Sequence, residues 1–111
     1  MKGKAQPTIQ MIDRVAEVMK AMSDPMRLKI LYRLKQRDYT VNELVEQLEC
    51  SQANVSRHLG VLKSAGLVGF RQDGASRHYF ISDPTVMSIC DSVCTTVERK
   101  IADDSRATQR R

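Results

Sequence analysis

Aromatic residues are scarce in this chain of 111 residues, which contains no tryptophan, two phenylalanines and three tyrosines. Proteins that bind single-stranded nucleic acid stack bases on aromatic side chains, so a stacking platform of that type is not expected. There is also no apolar run of about 18 residues, which a membrane-spanning helix requires. The sequence therefore lacks the features of a single-strand-binding protein and of a membrane-spanning one.

Cysteine is equally scarce, and its three copies are an odd number without the spacing of a disulfide framework. Such usage fits a reducing compartment better than secretion. The amino-terminal residues carry charge but no apolar stretch of the kind found in secretory signals. We therefore expect a cytoplasmic protein.

The residue patterns that catalysis usually needs are missing as well. We find no Ser/His/Asp order, no paired carboxylates and no glycine-rich phosphate loop, so an enzyme is not expected. A length of 111 residues is typical of one domain. We predict a folded domain over residues 8–101, flanked by flexible polar ends at 1–7 and 102–111.

Positive charge is concentrated in the middle of the chain. The net charge is +5, and residues 51–80 contain four basic residues against the single acid Asp73. Basic and acidic residues number nine and seven in the first fifty positions, and five and five over 81–111. A local positive excess attracts polyanions, although an ordinary solvated face can have the same composition.

Apolar residues at spacings of three and four predict five helices. They span about 8–22, 25–36, 41–49, a fourth helix from its cap at 51 to Gly66, and 84–101. Asp24 and Pro25 are typical of a helix start, and Thr40 with Glu43 forms a capping box. The third and fourth helices are separated by only two or three residues, which is the helix-turn-helix arrangement.

A hairpin follows the fourth helix. Asp73-Gly74 lies between two β-prone runs, 67–72 and 76–81, and this dipeptide is a strong hairpin signal. A hairpin directly after a helix-turn-helix makes a winged helix. The predicted fold is therefore mainly α with a small β-hairpin, an α+β winged helix-turn-helix with the order α-α-α-α-β-β-α.

The fourth helix begins with small or hydrogen-bonding side chains and continues with apolar ones. Gln and Asn can pair with adenine, Arg with guanine and Ser with either, so its first turns suit the major groove of duplex DNA. Ser51 also leaves the helix N-terminus free to face a phosphate. The candidate DNA-binding residues of this helix and the hairpin are Ser51, Gln52, Ala53, Asn54, Ser56, Arg57, Lys63, Arg71 and Arg77.

Several segments together resemble the ArsR/SmtB family of bacterial winged-helix repressors. They are MKAMSDPMRLKIL (19–31), ELVEQL (43–48), SQANVSRHLGVLKSAGLV (51–68) and GASRHYF (74–80), and the resemblance covers about residues 10–101. It implies a homodimer through the first and last helices and a palindromic double-stranded DNA operator. It also implies repression that an inducer relieves.

Sensor sites that members of this family carry are incomplete here. Thr40 and Asn42 stand where arsenic-type members have a Cys-x-Cys pair, and Tyr32 stands where persulfide-sensing members have a cysteine. The zinc-site positions of the last helix are occupied by Thr85, Thr96 and Arg99. No cofactor is therefore certain from the resemblance.

Cys90 and Cys94 lie four residues apart, and hence on one face of the last helix. A thiophilic metal or metalloid needs about three or four ligands, so a partner subunit or another donor would have to complete a site. Sensing of such an inducer or of oxidation at these thiols stays open, beside simple packing in the dimer interface. The apolar stripe 86, 90, 93, 97 and 101 has the spacing of a helix–helix seam.

Other interpretations also stay open. A winged helix can be a protein-interaction module that binds no DNA, and a member of the resembled family can lack metal sensing. A thiol redox protein would need an activated cysteine, and no CxxC motif is present. We interpret Cys50 as a packing residue, His58 as a structural or coupling residue, and His78 as a phosphate contact or simply an exposed side chain.

Overall fold

The described part of the chain forms five helices and three short strands. The computed structural model describes residue 6 and residues 8–109. The elements in order are α1 (Ile9–Met22), α2 (Pro25–Gln36), β1 (Tyr39–Thr40), α3 (Val41–Leu48), α4 (Gln52–Ser64), β2 (Val68–Asp73), β3 (Ser76–Ile81) and α5 (Thr85–Gln109). The predicted winged helix-turn-helix is confirmed, with β1 as an additional strand.

The predicted helix starts carry the expected caps. The Asp24 carboxylate accepts from the backbone N–H groups of Met26 and Arg27 at 2.9 and 3.1 Å, and Pro25 occupies the first helical position. Thr8 caps α1 in the same way through the N–H of Met11. These bonds satisfy N–H groups that have no partner inside the helix.

The three strands form one antiparallel sheet in the order β1-β3-β2. Tyr79 of β3 pairs with Tyr39 on one side and with Phe70 on the other. Gly74 and Ala75 form the loop of the β2–β3 hairpin, and Gly74 has a φ of +60°. A positive φ at the first of two loop residues favours glycine there. The β2–β3 hairpin is the wing.

The core lies between the helices and the base of the wing. Its fully buried side chains come from α2, α3 and α4 and are Ile30, Leu31, Leu44, Val55, Leu59 and Leu62. The wing adds Val68 and Tyr79 to the same cluster. Within residues 8–109, none of the helices combines the length and the hydropathy that crossing a bilayer requires.

Helix α5 extends beyond the end that the sequence predicted. We expected it to end near residue 101 and expected a flexible segment at 102–111, but the helix continues to Gln109. Lys100 pairs with Asp104 at 3.0 Å and Asp103 pairs with Arg106, and such pairs stabilise a helix that has no apolar stripe. The predicted flexible end at 1–7, apart from Gln6, lies outside the described residues, as do residues 110–111.

Helices α1 and α5 both expose apolar faces. Ile9, Met11, Ile12, Val15 and Met19 of α1 are exposed, as are Ile89, Val93, Val97 and Ile101 of α5. Val86 and Cys90 were predicted on the same seam, but they are buried in the protomer's own core. The exposed stripe of α5 therefore begins at Ile89, because the first turns of this helix pack on the protomer's own core.

Candidate nucleic-acid interface

The turn between α3 and α4 sets the helix-turn-helix geometry. Thr40 and Glu43 form the predicted capping box at the start of α3, with Thr40 N–H donating to Glu43 at 2.8 Å. At its other end Glu49 adopts a left-handed conformation with a φ of 51°, which turns the chain sharply. Ser51 then caps α4 by accepting from the N–H of Asn54 at 3.2 Å.

Helix α4 divides into a buried and an exposed face. Val55, His58, Leu59 and Leu62 are buried and hold it on the domain. All nine candidate DNA-binding residues are exposed, both those of the helix and those of the wing. The Arg57 guanidinium donates to the Asn54 side chain at 3.3 Å, so these two candidates lie side by side.

A groove of about 650 Å³ separates α4 from the wing. Four of the predicted residues meet there, namely Gln52, Ser56, Lys63 and Arg77. The other lining residues were not predicted and are Thr40, Val41, Asn42, Gly60, Phe70, Ala75, Ser76 and Tyr79. Ser51, Ala53, Asn54 and Arg57 are exposed beside this groove without lining it, and we call it the α4–wing groove.

Phe70 lies close to one basic side chain from α4 and one from the wing. The ammonium of Lys63 lies 5.6 Å from the centre of the Phe70 ring, and the guanidinium of Arg77 lies 4.4 Å from it. Aromatic faces attract cations, so one ring orients a cation from the helix and a cation from the wing. Sequence reasoning missed Phe70, and its only signal was a ring in a β-prone run next to basic residues.

Arg71 lies on the opposite face of the wing from Arg77. Successive strand residues point to opposite faces, and the register pairs Arg71 with His78 and Gln72 with Arg77. Arg71 lies 3.9 Å from the Asp38 carboxylate, and His78 lies 3.9 Å from Asp73. Arg71 and His78 therefore stand apart from the groove that collects Arg77 and Lys63.

Cys90 and Cys94 differ in their surroundings. Cys90 is buried in the core, whereas Cys94 is exposed and donates its S–H to the Glu98 carboxylate at 3.3 Å. Burial raises the pKa of the Cys90 thiol, with Asp91 adding to the effect. The hydrogen bond to Glu98 and its charge raise the pKa of Cys94. Among the described residues, no three His, Cys, Asp or Glu side chains are grouped to hold a metal ion.

The remaining cysteine and histidine also have distinct surroundings. Cys50 is half-buried and packs against the core cluster, in agreement with its interpretation as a packing residue. His58 is buried and its ring Nδ1 lies 3.1 Å from the guanidinium of Arg27. It therefore faces the interior of the domain, which fits its interpretation as a structural or coupling residue.

Comparison with known proteins agrees with this architecture. Residues 24–69 match the model of the family described as "Bacterial regulatory protein, arsR family". The HTH-type transcriptional regulator MJ1325 of Methanocaldococcus jannaschii is 37% identical over 78 residues, which cover 69% of this chain and 88% of that protein. The HTH-type transcriptional repressor SmtB of Mycobacterium tuberculosis is 34% identical over 79 residues, covering 71% of this chain and 58% of the repressor.

A solved structure gives the same result for the fold. The homodimeric winged helix-turn-helix DNA-binding domain of Mb0332 from Mycobacterium bovis, a possible ArsR-family regulator, superposes with a TM-score of 0.75. The two are 30% identical, and the match covers 88% of this chain and 91% of that one. This chain therefore belongs to the arsR family of bacterial regulatory proteins, whose members are transcriptional regulators and not enzymes.

Proposed function

We propose that the protein is a homodimeric transcriptional repressor that binds a palindromic DNA operator and is released by an inducer. The observation that carries this proposal is the α4–wing groove, where the polar first turns of α4 and two cations held by Phe70 face the same side. A duplex offers both base edges and phosphates to such a surface. The relatives named above as regulators and repressors support the assignment. A DNA-binding role in turn implies a cytoplasmic location.

The side chains of α4 have distinct roles in this proposal. Gln52, Ser56 and Arg57 read base edges, because they are exposed at the amino-terminal end of the recognition helix. Lys63 and Arg77 bind the phosphate backbone, and Ser51, Ala53 and Asn54 contact DNA at the helix start. Arg71 contributes only to the surrounding positive potential, since it lies on the other face of the wing.

The dimer is proposed to form through the exposed apolar faces of α1 and α5. Met19 is 53% exposed and Val97 is 50% exposed in the protomer, although both are large apolar residues. A second copy of the chain buries both faces and explains why they are apolar. The two recognition helices then lie about 34 Å apart, one DNA turn, which matches the half-sites of a palindrome.

A protein-interaction module without DNA binding is the alternative. Such a module would expose large apolar side chains around the recognition helix. Here the exposed large apolar residues lie mostly on α1 and α5, whereas the first turns of α4 expose polar ones. This distribution of apolar and polar side chains favours DNA over a protein as the partner of α4.

Two arginine substitutions test the proposed roles. A duplex is first selected by the full-length protein from a random-sequence pool, and binding is then measured by fluorescence anisotropy. Arg57→Ala should cost roughly 1–3 kcal/mol on the selected duplex and relax the preference at one position of each half-site. Arg77→Ala should weaken selected and scrambled duplexes about equally, because a phosphate contact carries no sequence information.

Lys29→Ala is the matched control, because it removes one exposed positive charge that does not line the α4–wing groove. This substitution should change neither the affinity for the selected duplex nor the sequence preference by much. The assignment of roles is wrong if Arg57→Ala and Arg77→Ala have the same effect on scrambled and selected duplexes.

A further inference from the structure

His58 combines burial with a polar ring in the middle of the recognition helix. Its exposed fraction is 7%, and it is the only polar or charged side chain that is buried among the described residues. It directly follows Arg57, which we assign to base reading. Burying an imidazole has a free-energy cost unless its nitrogens are satisfied, so its partners indicate what it does.

The principal partner of His58 is Arg27 of α2. The Arg27 guanidinium lies 3.1 Å from His58 Nδ1 and also donates from Nε to the carbonyl of Ala21, in the last turn of α1, at 2.5 Å. One side chain thus joins the end of α1 to the recognition helix. The planar guanidinium can hold two acceptors in fixed directions, which a lysine ammonium cannot do with the same geometry.

The protonation state of His58 follows from this contact. A guanidinium only donates hydrogen bonds, so Nδ1 of His58 must accept, and the ring is neutral with its hydrogen on Nε2. Asp24, the cap of α2, lies 3.9 Å from the same Nδ1. Its carboxylate already accepts from two backbone N–H groups of α2.

A proton on Nδ1 would break this arrangement. The ring could no longer accept from Arg27, and two positive groups would face each other at the 3.1 Å contact. The new N–H would have the Asp24 carboxylate, 3.9 Å from Nδ1, as an acceptor. Protonation therefore removes the hydrogen bond through which Arg27 joins α4 to the end of α1.

The charged groups around His58 oppose its protonation on balance. Burial lowers the pKa of His58, Asp24 raises it, and Arg57 and Arg27 lower it further. Glu17 and Lys20 of α1 line the neighbouring cavity together with Arg27. The neutral ring is thus the form that the packed domain favours.

We propose that Asp24, Arg27 and His58 are positioning residues for DNA recognition, which fix α4 relative to the dimerisation helix α1 only while His58 is neutral. This inference rests on the proposed function. In this proposal operator binding requires the contact between Arg27 and neutral His58. A protein whose His58 is protonated in acid must therefore lose that proton when it binds the operator. Operator affinity therefore falls in acid, and the fall lies below the ordinary histidine pKa of about 6.5, because burial lowers the pKa of His58.

The second histidine supplies a matched control. His78, the only other histidine in the chain, lies on the wing and does not line the α4–wing groove. In His78→Gln the only histidine left is His58, so the acid loss of affinity should persist in this variant.

The test measures the affinity for the selected duplex between pH 5.5 and 8.0 at constant ionic strength. We expect the affinity of wild type and of His78→Gln to fall towards the acid end of this range, because burial places the pKa of His58 below its ordinary value. His58→Gln keeps a neutral acceptor for Arg27 but does not titrate, so its affinity relative to its own value at pH 8.0 should no longer fall in acid. Arg27→Lys should bind more weakly at pH 8.0 while circular dichroism shows the helices intact.

The possible outcomes separate this inference from the proposed function. Binding of the wild type to the selected duplex at pH 8.0 supports the proposed function, whatever the pH dependence. A flat pH profile for His78→Gln would overturn the positioning role, and so would an acid response in a folded His58→Gln. The His78→Gln profile leaves His58 intact, so the test does not depend on a variant of the core.

Discussion

At the scale of single residues, the two thiols of α5 are the candidates for inducer sensing. Their raised pKa values mean that both are protonated at neutral pH, so a metal must displace protons to bind. Binding of a thiophilic metal should therefore tighten as the pH rises. Cys94 is exposed, and it lines a groove between α1, α2 and α5 together with Cys90 and Tyr32.

Serine substitutions distinguish sensing from packing. If cadmium chloride or hydrogen peroxide releases the wild type from its selected duplex, the double variant Cys90→Ser with Cys94→Ser should bind nearly normally and fail to respond. Cys50→Ser is the control and should respond as the wild type does. Cys50 packs against the core cluster and is distant in sequence from Cys90 and Cys94. Release of the double variant would locate the sensor elsewhere, and an unresponsive wild type would leave the cysteines with a packing role alone.

The sequence predicted candidates that are all exposed, but it did not predict which of them lie together. Hydrogen-bonding residue types and helical periodicity were enough to identify Gln52, Ser56, Lys63 and Arg77, which meet in the groove. The same reasoning counted Arg71 with Arg77, because the strand register that separates them depends on where the hairpin turns. Phe70 was missed because its role arises from contacts between two elements, which no local pattern contains.

At the scale of elements, α5 has two successive functions. Val86 and Cys90 on its first turns complete the protomer core, whereas Ile89, Val93, Val97 and Ile101 form an exposed stripe that continues along the helix. The interaction of Lys35 with Asp91 at 3.4 Å joins α2 to the same helix near this transition. An apolar stripe that leaves its own core in this way is suited to a second protomer.

Val93→Asp tests the proposed dimer face. The variant would bury an unpaired carboxylate in each protomer, so the dimer should dissociate at micromolar concentration and operator affinity should fall by at least about tenfold. Sedimentation equilibrium measures the first effect and anisotropy the second. Thr95→Asp adds the same charge at an exposed position outside the stripe and should change neither. A Val93→Asp protein that stays dimeric would place the interface elsewhere.

Elements were predicted well where the chain carries periodicity and caps, and poorly where it does not. The capping box at Thr40 located α3 within a residue. Strand β1 has only two residues, which is too short for any alternation, and it exists because β3 offers a free edge. The last turns of α5 contain charged pairs without an apolar stripe, so apolar periodicity placed the end of the helix too early.

At the scale of the whole molecule, charge and apolar surface are separated. The basic excess of residues 51–80 belongs to α4 and the wing, whereas the exposed apolar faces belong to α1 and α5. A dimer built on the apolar faces leaves both grooves free. In the proposed dimer two half-site contacts act together, so a chain with a net charge of only +5 can bind DNA more tightly than one protomer alone.

The most direct measurement is the binding of the full-length protein to its selected duplex over a range of salt concentrations, with the stoichiometry determined by native mass spectrometry. For a homodimeric repressor we expect two chains per duplex and an affinity roughly a thousandfold or more above that for a scrambled duplex. We also expect a log–log salt slope of about −0.9 for each phosphate neutralised. Failure to enrich any duplex, or binding that does not depend on salt, would contradict the proposed function.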